Sequence, residues 1–77
     1  MGYAIVEFPG RREVFVNGVS QGDNRDDTGQ YRILRVGDGL QTFTLGGPLD
    51  YTLPSQTVEV VNTTSIQPLR VVFARKV

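Results

Sequence analysis

Short stretches of alternating apolar and polar residues, cut by tight-turn residues, run through nearly the whole chain and constrain it to a small all-β domain. The strongest instance is Asn17-Gly18 set between Val16 and Val19. A two-residue hairpin of type I′ needs positive φ at both central residues, which Asn and Gly tolerate best. Before that turn Val14 and Val16 face one way and Phe15 the other, the two-residue period of a strand. A short return strand is expected over residues 19–21.

The same grammar organises the rest. Residues 3–8 alternate Ala4, Val6 and Phe8 against Ile5 and Glu7, until Pro9-Gly10 removes a ladder donor and permits a turn. Residues 22–30 form a polar loop by composition. Residues 31–36 read as a strand, Gly37-Asp38-Gly39 as a turn, and residues 40–45 as the partner strand with Phe43 and Leu45 inward. After a turn at Gly46-Gly47-Pro48, residues 51–53 and 57–61 flank Pro54, which calls for an edge or a bend. Asn62-Thr63-Thr64 also matches a glycosylation acceptor, but Asn and Thr side chains bond nearby backbone, and a turn is the better reading. Residues 66–74 close the pattern, with Leu69, Val71 and Phe73 opposed to Arg70, Val72 and Ala74, and residues 75–77 are expected to fray. No segment carries helical periodicity. The expectation is one domain over residues 1–77, a small antiparallel sandwich or partly open barrel of about seven short strands.

Composition narrows function mainly by exclusion. The chain has no His and no Cys, so no disulfide supplements its thin core and no imidazole or thiolate serves a catalytic or zinc site. The net charge is zero, so no global field draws it to nucleic acid or an anionic membrane. No apolar run approaches the ~20 residues that span a bilayer. Neither a secretion signal nor a myristoylation pattern opens the chain. A complete chain of this kind is expected in the cytoplasm, and a domain cut from a longer protein in an envelope or extracellular setting.

The order of features resembles that of PEGA domains. Residues 2–8, Pro9-Gly10, and Glu13-Val14-Phe15-Val16-Asn17-Gly18 are similar to the opening of that family. Gly39-Leu40-Gln41-Thr42-Phe43-Thr44-Leu45 is similar to its middle. Tyr51, Thr57-Val58-Glu59-Val60 and residues 69–73 are similar to its end. Two departures stand out: Arg11-Arg12 where the family has a small residue, and the loop of residues 23–30 where it has Thr-Pro. The resemblance implies a compact β-sandwich, often appended to microbial envelope or surface proteins, with no catalytic residues and no cofactor.

Three groups of residues are candidates for chemistry. Asp23, Asp26 and Asp27 with Asn24 could offer oxygen ligands to a cation, but Arg25 interrupts the alternate spacing that such loops use, which favours a solvated loop. Acid pairs such as Asp26 with Asp27, or Asp38 with Asp50, have no evident base or pocket, so no enzyme is expected. The third group is a surface of Phe15, Arg32, Arg35, Arg70 and Val72. With Tyr31 and Ile33 inward, Arg32 would be exposed, with Arg35 brought near it by a twist, and Phe15 would offer an apolar platform. The preferred reading is a non-catalytic module that docks a protein partner or a second copy of itself through a sheet face or open edge. The second reading, from a different class, is single-stranded nucleic acid held by arginine and stacking aromatic side chains.

Overall fold

A computed structural model describes residues 2–48 and 50–75. The strands are β1 (Gly2–Glu7), β2 (Glu13–Val16), β3 (Val19–Asp23), β4 (Leu34–Val36), β5 (Gly39–Leu45), β6 (Gln56–Val60) and β7 (Leu69–Val72). They form two sheets, a three-stranded sheet of order β4-β1-β7 and a four-stranded sheet of order β3-β2-β5-β6. No helix occurs among the described residues, so the all-β expectation holds. One pairing departs from the antiparallel rule: β1 and β7 run parallel, Ala4 opposite Leu69 and Val6 opposite Val71.

The core follows from the alternation. Ala4, Val6 and Phe8 are buried while Tyr3, Ile5 and Glu7 lie half-exposed on the opposite face. Val14, Val16, Phe43 and Leu45 do the same for the other sheet, as their period requires. Fully burying an aliphatic or Phe side chain contributes about 1.5–3 kcal/mol, so these few residues carry most of the fold. Tyr51 fills the end of the core, its ring edge-on to Phe8 at 6.0 Å and to Phe73 at 5.4 Å. Its hydroxyl donates to the Leu45 carbonyl at 2.9 Å, which lets a phenol sit buried without an unmet polar atom.

The hairpin forms as the sequence demands, with Asn17 at φ 52° and Gly18 at φ 81°. Asn17 also ties the turn to the neighbouring strand: its backbone N–H donates to the Thr42 carbonyl and its Oδ1 accepts from the Thr42 N–H.

Several expectations need correction. Residues 31–36 do not pair with residues 40–45. β4 pairs with β1, with Tyr3 opposite Arg35, whereas β5 pairs with β2 and β6. The Gly37-Asp38-Gly39 segment is a corner between sheets and not a hairpin turn: Gly39 at φ 87° redirects the chain, and Gln41 Nε2 donates to the Asp38 carbonyl at 3.0 Å. The buried phase of β4 is Leu34 and Val36, so Ile33 is 48% exposed and Tyr31 is only bridged to Arg25. Residues 51–53 form no strand; Tyr51 bridges Arg75, which therefore does not fray. Lys76 and Val77, also expected to fray, lie outside the described residues. The last strand starts at Leu69 because Thr64 Oγ1 accepts from the Ile66 and Gln67 N–H groups, closing a turn where extended chain was expected.

The flanks of the sandwich differ. Where β6 meets β7, Gln56 Nε2 donates to the Val72 carbonyl at 2.7 Å, and Tyr3 N–H donates to Thr63 Oγ1 at 2.8 Å. A Cβ on the buried Gly2 would stand 2.2 Å from Val60 Cγ1, so only glycine lets β1 approach β6 this closely. On the opposite flank the three-stranded sheet ends at β4 and the four-stranded sheet continues to β3. No strand of the opposing sheet stands over β3 there; the Arg32 side chain lies against Gly22, and Val19 is 62% exposed.

Candidate functional site

The open flank forms a groove of about 510 Å³. Val16, Val19 and Gln21 line its four-stranded side, and Arg35, Val36 and Asp38 line its three-stranded side and corner. Val19 stands opposite Val16 across the hairpin, so its side chain points to the core side of the sheet. It remains solvated because the opposing sheet stops one strand short.

The segment between β3 and β4 returns the chain from one sheet to the other, and Asn24 fixes it. Asn24 is fully buried. Its Nδ2 donates to the carbonyls of Val6 and Gly10, and its Oδ1 accepts from the Arg12 N–H at 2.8 Å. Its own N–H donates to the Arg12 carbonyl and its carbonyl accepts from the Arg32 N–H, each at 2.9 Å. Every polar group of this residue thus replaces water, as burial of an amide requires. Part of the loop read as solvated is a structural plug.

The five residues expected to form one surface are divided. Phe15 lies on the outer face of the four-stranded sheet, opposite Thr44 on β5 and Ser20 on β3. Arg35, Arg70 and Val72 lie on the outer face of the three-stranded sheet, in phase with Tyr3, Ile5 and Glu7. The only expected stacking ring is therefore on the far side of the sandwich from those arginines. Arg32 bonds to backbone instead. Its Nη1 donates to the Asp23 carbonyl at 2.9 Å and the Gln21 carbonyl at 3.4 Å, and so occupies the edge of β3. A charged side chain on an edge strand discourages further pairing there. Arg70 forks Glu7, with Nη2 to Oε1 at 3.1 Å and Nε to Oε2. That hydrogen-bonded pairing holds the Glu7 carboxyl below its ordinary value and raises Arg70.

The acidic loop does not gather its carboxylates. Arg11 stands between Asp23 and Asp27, with Nε at 3.0 Å from one and Nη2 at 3.3 Å from the other. Asp26 turns inward on its own loop, its Oδ1 accepting from the Thr28 hydroxyl and the Thr28 and Gln30 N–H groups. The Thr28 hydroxyl bond is the main cause of its lowered pKa. Of the paired acids considered for catalysis, Asp50 is bound to Arg12 at 2.6 Å, and Asp38 lies at the sheet-to-sheet corner.

A second depression, of about 380 Å³, lies where β1 and β7 end. Its walls include Glu7, Pro9, Tyr31, Val72, Phe73 and Arg75. Arg25 stacks on the Tyr31 ring with its guanidinium carbon 4.2 Å from the centroid, and donates to the Tyr31 hydroxyl at 3.0 Å.

Of the residues that the sequence singles out, Arg35 borders the open flank and Val72 the second depression. Asn24, read as a possible cation ligand, is instead buried, and Val19, Val36 and Arg75 are not singled out. A two-residue hairpin sets Val19 opposite Val16 and so on the same face, but where the opposing sheet would end is not a local property of the sequence. No family model matches the chain, and searches of curated proteins and of solved structures find no match.

Proposed function

We propose that this domain is a non-catalytic docking module, and that an extended segment of another protein lies in the open flank along β4. Neighbouring strands sit about 4.8 Å apart, so one added strand beside β4 would stand over β3 and bring the sheets to four on four. Its inward side chains would meet Val16, Val19 and Val36. The observation that carries this reading is Val19, inward on its strand yet 62% exposed. Strand addition draws affinity from main-chain hydrogen bonds and selectivity from alternate side chains, so the site needs neither cofactor nor catalytic group. The resemblance to PEGA domains supports the same class of object, a β-module appended for contact.

The test is selection of linear peptides from a random display library, followed by amide chemical-shift mapping of the selected peptides on the labelled protein. The expected result is a set of peptides with alternating apolar residues whose shifts centre on Val19, Val36 and Gln41. Val19→Glu should weaken them by about tenfold or more, since it places a charge where an apolar contact is required. Failure to select any binder, or selection of peptides that leave these amides unmoved, overturns the proposal.

A further inference from the structure

We infer that the depression at the ends of β1 and β7 is a second docking site, one that takes an apolar side chain carried beside a carboxylate on an acidic segment of a partner protein. It is separate from the open flank and stands on different observations.

The floor is apolar. Tyr31 and Pro9 lie on one side and Val72 on the other, over the buried Phe73. Val72 is 54% exposed although it belongs to a paired strand, so it presents a branched aliphatic surface to whatever enters. The charges around this floor are unbalanced. Among the described residues Glu7 is the only carboxylate in its wall, and both of its oxygens are taken by Arg70. Arg25 directs its guanidinium to the Phe8 and Gly29 carbonyls and to Tyr31, so its charge stays beside the ring without meeting a carboxylate. Arg75 lies over the Phe8 ring at 5.6 Å, and among the described residues its guanidinium makes a ring contact and no ion pair.

These charges select the occupant. A cationic side chain entering the depression would meet Arg75, with Glu7 and Arg70 neutralising each other and Arg25 stacked on the Tyr31 ring nearby. A carboxylate would meet Arg75, whose planar fork accepts it in a bidentate, charge-assisted geometry. The apolar floor then requires that the carboxylate be carried next to an aliphatic or aromatic residue. An acidic segment with apolar anchors satisfies both demands, a basic segment with the same anchors fails the charge, and a purely polar segment fails the floor.

The test uses the whole labelled chain and two probes: an acetylated, amidated hexapeptide alternating Glu with Leu, and the same peptide with Lys for Glu. Amide shifts are followed at low and moderate salt. The expected result is movement of Tyr31, Val72 and Ala74 with the acidic peptide at a Kd of about 1 mM, the range of one anchor plus one charged contact. Added salt should weaken that binding, because the contact is at the surface. The Lys peptide should leave these amides still. Arg75→Glu should reduce the acidic peptide's affinity by about tenfold or more. Val72→Asp is the second variant, and on an exposed face it should fold normally and lose binding as well. Silence with the acidic peptide, equal response to both peptides, or binding that survives Arg75→Glu overturns the inference. Shifts confined to Val19 and Val36 overturn it too, while leaving the open-flank proposal in place.

Discussion

The two flanks of the sandwich are built from similar residues and reach opposite ends. On the β6–β7 flank, Gly2 against Val60, Gln56 against the Val72 carbonyl, and Thr63 against the Tyr3 N–H join one sheet to the other. On the β3–β4 flank, valines of the same type line a groove with nothing of the described chain laid across it. The contrast does not come from composition. It comes from strand count, because a three-stranded sheet on a four-stranded one matches at one side only. Closure at one flank fixes where the opening must be.

The largest effect is expected where the open flank is anchored. Asn24→Ala removes two donors and one acceptor from a fully buried site, leaving the Val6 and Gly10 carbonyls and the Arg12 N–H without them. Each buried group left unmet costs about 1–3 kcal/mol, so the variant should lose at least about 3 kcal/mol in chemical denaturation. A loss below about 1 kcal/mol would mean that water replaces the side chain and that the loop is no plug. On the closed flank Gly2→Ala forces a methyl group onto Val60 Cγ1, which is itself fully buried. Overpacking of this kind costs about 1–3 kcal/mol. A neutral Gly2→Ala would show that β1 and β6 separate easily and would dissolve the distinction between the flanks.

How much of this was legible in the sequence depends on the range of the interaction. The Asn17-Gly18 hairpin, the burial of Ala4, Val6 and Phe8, and the inward phase of Phe43 and Leu45 follow from local chemistry, and all were readable. The corner at Gly37-Asp38-Gly39 was not, since a glycine-rich turn serves equally to reverse a strand within a sheet or to carry it across. That ambiguity misassigned the partners of residues 31–36 and 40–45. The parallel pairing of β1 with β7 was hidden too, because it joins strands far apart in the sequence. Of the expected surface, Arg35, Arg70 and Val72 share one outer face while Phe15 and Arg32 lie elsewhere, for the same reason. Face membership within one strand is local, but the choice of sheet is not.

A smaller effect on stability separates the flanks further. Val19→Thr changes a solvated side chain and should alter stability by no more than about 0.5 kcal/mol, whereas Val60→Thr places a hydroxyl in the closed flank and should cost about 1–3 kcal/mol. Denaturant midpoints for the two variants measure the difference directly. Equal losses would mean that the groove is packed in solution, and the open flank would cease to be a docking site.

The smallest expected effect concerns the outer face of the β1–β7 pair, where Arg70 forks Glu7. The Glu7 carboxyl titrates lower in the folded protein than its reference value of 4.5, chiefly through its hydrogen bond to Arg70. A folded pKa below the unfolded one means that the unfolded chain binds the proton first, so the pairing stabilises the fold fully above the unfolded value. The stabilisation then fades as pH falls through the folded value. Glu7→Gln keeps the shape of the side chain and cannot ionise. The stabilities of the parent and the variant should therefore differ by a constant amount near neutrality and converge in acid. Asp26 also titrates low, but it is present in both proteins and cancels in the difference. Since Arg70 is well exposed, the gap should be small and should shrink with salt. Parallel curves down through the acid range would show that the parallel strand pair holds without this fork.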